Sequence, residues 1–143
     1  MAKTEQKTNL TVGATVNAPV AKVWEYWTDP KHITQWNNAS DDWHTPRAEN
    51  NLKVGGKFNF RMESKDGKLG FDFNGIYDNV TPNAEIAYTI ADGRRVTIFF
   101  KSSGNETKVS ETFETENMNS MDMQRTGWQC ILNNFKKYVE ANQ

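Results

Sequence analysis

The chain has 143 residues and a formal net charge of −1. That length points to one domain over residues 1–143 and buries about 68–70% of the unfolded surface, enough for a real core. No basic excess exists to neutralise phosphates, so nucleic acid is excluded as a partner. The single cysteine, Cys130, leaves neither an internal disulfide nor a multi-thiolate metal site.

No apolar run of about 18 residues occurs, and the N-terminal stretch MAKTEQKTNL lacks a hydrophobic signal region. The expectation is a soluble cytoplasmic monomer, with no membrane insertion. Met1–Thr8 is polar and expected to be loose. Leu10, Val12, Ala14 and Val16 alternate, which predicts a strand. Asn17-Ala18-Pro19 ends it, and Pro19 suits the first turn of a helix. Val20, Val23, Trp24 and Trp27 recur at helical spacing, so Val20–Thr28 is a short amphipathic helix. Asp29-Pro30 restarts the chain into a second, with Ile33 and Trp36 on one side. A polar loop over Asn37–Asp42 follows, and Pro46 limits any strand near Trp43-His44-Thr45.

Gly55-Gly56 opens the next strand, in which Phe58, Phe60 and Met62 alternate with polar residues. Lys65-Asp66-Gly67-Lys68 reads as a hairpin connection. The return strand carries Phe71, Phe73, Gly75 and Tyr77, and Gly75 suggests a bulge or bend. Turns at Thr81-Pro82-Asn83, Asp92-Gly93 and Ser103-Gly104-Asn105 separate strands marked by Ile86, Tyr88, Ile90, by Val96, Ile98, Phe100, and by Val109, Glu111, Phe113. Strands at such intervals with short connections form an antiparallel meander.

The chain closes with the one long helical pattern, Met121–Ala141. Met121, Trp128, Ile131, Leu132, Phe135 and Val139 form an apolar stripe. Asn119 reads as its N-cap, and Asp122 favours the positive end of the helix dipole. Gln124 lies inside the stripe, with Gly127 at its edge. A mid-helix glycine costs roughly 1 kcal/mol relative to alanine. It marks either a close approach of another backbone or room for a ligand. Cys130 falls opposite the stripe, which argues against a nucleophile. One sheet with one apolar face and one helix with one apolar stripe must cover each other. The fold class is α+β, with a curved antiparallel sheet of six or seven strands, two short helices after the first strand, and the long helix across the sheet. A curled sheet around a straight helix leaves a gap.

Several stretches carry a family resemblance: Ala18-Pro19 with Val23-Trp24, Thr28-Asp29-Pro30, Trp36, Val54-Gly55-Gly56-Lys57-Phe58, Gly75, Val80-Thr81-Pro82, Thr107-Lys108-Val109 and Gly127-Trp128. In this order they resemble the helix-grip (SRPBCC) superfamily of START-type lipid-binding domains and birch-pollen-allergen relatives. The nearest branch is similar to the C-terminal domain of the activator of the ninety-kilodalton heat-shock protein ATPase. The resemblance implies a cavity between sheet and helix and brings no fixed catalytic motif.

No Ser-His-Asp set, P-loop, zinc spacing or dinucleotide fingerprint is present, so no cofactor and no metal are expected. His32 and His44 are placed in separate loop regions, and His44 beside Trp43 could rim a pocket. Glu111 shares the phase of Val109 and Phe113 and should point inward, unless a bulge turns it out. An inward carboxylate is costly unless paired. Gln124 points toward the same space, and the two are expected to meet a ligand, water or each other. The aromatics are core by default, with part of them facing a cavity. The pocket candidates are Trp24, Trp36, Trp43, His44, Phe58, Phe60, Phe71, Phe73, Tyr77, Tyr88, Ile98, Glu111, Phe113, Met121, Gln124, Trp128 and Ile131. The first functional reading is binding of a small apolar or aromatic molecule. The second, implied by polyketide-processing relatives, is a cyclase or dehydratase using Glu111, His44 or Tyr77. The third is an interaction protein with a chaperone partner.

Overall fold

The computed structural model of the protein describes residues 8–142. Its elements are β1 (Asn9–Val16), α1 (Val20–Thr28), α2 (Pro30–Trp36), β2 (Trp43–Asn50), β3 (Lys57–Ser64), β4 (Gly70–Thr81), β5 (Glu85–Ile90), β6 (Arg95–Ser103), β7 (Glu106–Glu114) and α3 (Met121–Ala141). The strands pair antiparallel in one curled sheet, in the order β1-β7-β6-β5-β4-β3-β2. The two short helices are the crossover from one edge of the sheet to the other. Of the N-terminal stretch expected to be loose, Met1–Lys7 lies outside the described residues. Thr8 is held, its carbonyl accepting from the Thr115 backbone at 2.9 Å and the Thr115 hydroxyl at 3.1 Å.

The two sheet edges differ. At one edge Pro46 does not prevent β2. The register slips between His44 and Arg47, so the proline falls within an irregularity of an edge strand, where a missing N–H costs least. At the other edge α3 covers the open side of β1. The Gln129 amide donates to the Gly13 carbonyl at 3.0 Å, and Arg125 reaches the Thr11 carbonyl at 3.4 Å. Both satisfy acceptors that a bare edge would leave open.

Gly75 is not the bulge. The slip in β4 lies between Tyr77 and Asn79. Gly75 is needed because a Cβ there would press on the Thr89 carbonyl and sit 2.9 Å from the Phe58 ring. That ring turns inward beneath the strand.

The inner face of the sheet carries Leu10, Val12, Val16, Phe58, Tyr77, Ile86, Ile98, Val109 and Phe113, all buried. The second half of α3 lays Leu132, Phe135 and Val139 on it. Phe135 is ringed edge-on by Trp27 and Trp36, with centroids 4.8 and 4.9 Å away. The short helices therefore dock through aromatic edges, a favoured geometry for such pairs.

The α3 N-cap is Ser120 and not Asn119. Its hydroxyl accepts from the Met123 backbone at 3.1 Å. Asn119 is drawn instead onto the Glu116 carboxylate, donating its backbone N–H at 2.7 Å and its side-chain amide at 3.1 Å. His32 lies within α2 and not in a loop. It bonds the Tyr138 hydroxyl at 2.7 Å, stacks on Tyr26 at 3.9 Å and lies 3.8 Å from Glu25, joining the three helices. No helix among the described residues is long and apolar enough to cross a membrane.

Candidate functional site

Between the first half of α3 and the sheet lies a cavity of about 360 Å³. Period-two alternation places its sheet wall: Phe58, Phe60 and Met62 from β3, Phe71, Phe73 and Tyr77 from β4, Ile86 and Tyr88 from β5. Trp27 and Trp36 form its end nearest Phe135, beside Asn37 and Ala39. The helix wall is Met123, Gln124, Gly127, Trp128 and Ile131. Trp128 lies flat on Phe113, with centroids 4.2 Å apart and planes 8° from parallel, and meets Phe73 edge-on at 6.4 Å. The ring is thus clamped as a wall. At Gly127 a Cβ would meet nothing within 4 Å. The glycine does not serve a backbone contact; it faces open space.

The sequence candidates divide accordingly. Trp36, Phe58, Phe60, Phe71, Phe73, Tyr77, Tyr88, Glu111, Gln124, Trp128 and Ile131 line the cavity. The other six do not. Trp24 packs edge-on against Phe100 at 5.3 Å, one turn before Trp27 on α1, and does not reach the cavity. Trp43 sits at the sheet end against Phe71, 6.0 Å between centroids. His44 is opposite Glu63 in the register, on the face turned away from α3. Ile98 and Phe113 are wholly buried under the layer that forms the wall. Met121, in the first turn of α3, is 43% exposed and does not line the cavity. Met123, which carried no apolar phase, lines the cavity in its place.

Sequence reasoning also missed Trp27, Met62, Ile86 and Arg94 as cavity residues, along with Glu116 and Asn119 from the loop before α3. Trp27 and Met62 have the correct phase, and Trp27 reads as core by default, as every aromatic does. The loop residues carry no periodic signal, because their placement depends on one side chain, Gln124.

Gln124 is 7% exposed and its amide is fully used. The oxygen accepts from Glu116 N–H at 2.9 Å, and the nitrogen donates to the carbonyls of Glu116 at 3.0 Å and Asn119 at 2.9 Å. It lines the cavity, but its amide bonds backbone groups and not Glu111. It ties down the loop that leads into α3. The Glu116 carboxylate is likewise spent on the backbone of Met118 and Asn119.

Glu111 faces the cavity. The pairings Val12↔Glu111 and Ile98↔Glu111 lie within unbroken registers, so no bulge turns it outward. It is 5% exposed and makes no hydrogen bond with the described residues. Desolvation alone pushes its carboxyl up to about 8, so it is mostly protonated at neutral pH. Burial also drives the Tyr88 hydroxyl well above its ordinary value, and the nearby Glu111 raises it further. Tyr77 is raised by burial in spite of its hydrogen bond to Asn50. Among the described residues no group of three or more His, Cys, Asp or Glu side chains could hold a metal ion.

A curled antiparallel sheet closed over one long helix, with an apolar cavity between them, defines a helix-grip protein. Residues 17–140 match the family described as Activator of Hsp90 ATPase homolog 1-like protein. The chain belongs to that family. An AHSA1-like protein from Aeromonas hydrophila is 41% identical, with a TM-score of 0.89 over 94% of both chains. Chr148 from Cytophaga hutchinsonii is 50% identical, with a TM-score of 0.80 over 92% of both. Protein NE0264 from Nitrosomonas europaea, at 17% identity, shares the fold with a TM-score of 0.82 over 94% of this chain and 96% of its own. No curated protein matches the chain at a significant level.

Proposed function

We propose that this protein binds a small apolar or aromatic molecule in the cavity between the sheet and α3. The observation that carries this reading is Gly127. A helix interior disfavours glycine by about 1 kcal/mol relative to alanine. No neighbouring atom here requires the missing side chain. Its effect is to keep the space beside Trp128 open. The volume, about 360 Å³, lies within the roughly 300–1,000 Å³ of small-molecule sites. The lining is mainly apolar and rich in aromatic rings, with a few polar groups, as is typical of such sites.

Backbone amide NMR spectra recorded with a library of lipids and aromatic compounds test the proposal. Hits should shift the Gly127 amide and the Trp128 indole together. Gly127→Leu, which fills the space, should fold normally and lose those hits. Binding that leaves both signals unmoved and survives Gly127→Leu would place the site elsewhere.

A further inference from the structure

The polar groups around the cavity are not equivalent. Asn37 donates to Met62, Tyr77 to Asn50 and Arg94 to Asp92, while Glu116, Asn119 and Gln124 bond one another in the loop before α3. Among the carboxyl, amide, guanidinium and hydroxyl groups of the lining, only the Glu111 carboxyl and the Tyr88 hydroxyl have no hydrogen-bond partner among the described residues. The indole N–H groups of Trp27 and Trp128 have none either, but they belong to rings packed as walls. They share the inner face of the sheet. Ile98 on β6 pairs with Ile86 on β5 and with Glu111 on β7. Tyr88 is the next inward residue after Ile86. The two therefore stand two strands and two residues apart, about 12 Å between backbones, on the concave face of the sheet.

We propose that Glu111 and Tyr88 together recognise the carbonyl oxygen of a neutral, largely apolar ligand, each donating one hydrogen bond. This rests on the cavity being a binding site. A carbonyl oxygen has two lone pairs and accepts two such bonds. A carboxylic acid kept neutral by apolar surroundings is a donor, and burial keeps Glu111 in that form. Buried donors without partners are costly, and a ligand oxygen that supplies both bonds removes that cost. A cationic ligand would need Glu111 ionised, with two charges desolvated for one contact. An anionic ligand would find its nearest cation, Arg94, already held by Asp92 at 2.8 Å. The titratable and charged groups lining the cavity besides Glu111 are Tyr77 from β4, Tyr88 from β5, Arg94 from the turn after β5 and Glu116 from the loop before α3.

The test uses four probes built on one ring system: 2-acetylnaphthalene, 2-isopropenylnaphthalene, 2-naphthoate and 1-(2-naphthyl)ethylamine. Affinities are measured at pH 6 and pH 9.5, with binding followed at Gly127 by NMR. The ketone should bind the native protein at pH 6 about tenfold more tightly than its hydrocarbon counterpart, the worth of one to two well-placed hydrogen bonds. That preference should shrink at pH 9.5, where Glu111 loses its proton. Glu111→Gln, which keeps a donor and cannot titrate, should retain the preference at both pH values. Glu111→Leu should abolish it, and Tyr88→Phe should reduce it several-fold. Equal or tighter binding of the hydrocarbon would overturn the inference while leaving the cavity reading intact. So would tightest binding of the amine or of the naphthoate. If no probe and no member of the wider library perturbs Gly127, both readings fail together.

Discussion

Glu111→Gln offers a direct measurement of how dry the cavity floor is. The carboxyl has an ordinary value of 4.5 and is pushed up to about 8 in the folded chain by burial alone. Between those values the native state holds a proton that the unfolded chain has released. The sign follows: the unfolded state binds fewer protons, so stability falls as pH rises through that window. Below pH 4.5 both states are protonated and Glu111 costs nothing through ionisation. The loss grows to roughly 3 kcal/mol at pH 7 and levels off near roughly 5 kcal/mol above pH 8, at 1.36 kcal/mol per unit. Glutamine has nearly the same shape and does not titrate. The difference in urea unfolding free energy between Glu111→Gln and the native protein isolates this one group, since other titrations are common to both. The expected result is a difference that rises in favour of the variant by several kcal/mol from pH 4 to pH 9. A flat difference over that range would show that Glu111 is hydrated or paired, and would refute the dry-floor reasoning.

Three further substitutions probe the frame around the site. Phe135→Ala removes the ring enclosed by Trp27 and Trp36 and should cost about 3–5 kcal/mol in chemical denaturation; a loss below roughly 0.5 kcal/mol would mean that the second half of α3 is not core. Gln124→Leu strands the backbone groups of Glu116 and Asn119 and should cost about 1–3 kcal/mol. Hydrogen exchange should quicken in the loop before α3 and stay unchanged at Phe135; unaltered exchange in the loop would count against the clasp. Gly127→Ala adds a methyl group into open space, so it should raise stability by up to about 1 kcal/mol through helix propensity. A marked loss would reveal a contact at Gly127.

The division between sequence and tertiary structure runs through particular residues. Alternation in Phe58-Phe60-Met62 and in Ile86-Tyr88-Ile90 determined the strands and their inward faces, because a pleated strand turns every second side chain to the same side. The stripe Leu132, Phe135 and Val139 determined the helix and its core face in the same way. Order and short connections then determined an antiparallel sheet covered by one helix, and the phase of Glu111 determined that a carboxyl points inward. Other outcomes depended on groups far apart in the chain. Whether β2 forms despite Pro46 depends on its being an edge, a property of the whole sheet. Met123 lines the cavity and Met121 does not, although helical phase favours Met121, and the loop before α3 bounds the same end of the site. That loop is held by Gln124, whose three bonds all go to backbone groups that carry no side-chain signal. Gly127 could mark a tight contact or an empty space, and local sequence is the same for both. Only packing decides between them, because a cavity is defined by the atoms that fail to fill it.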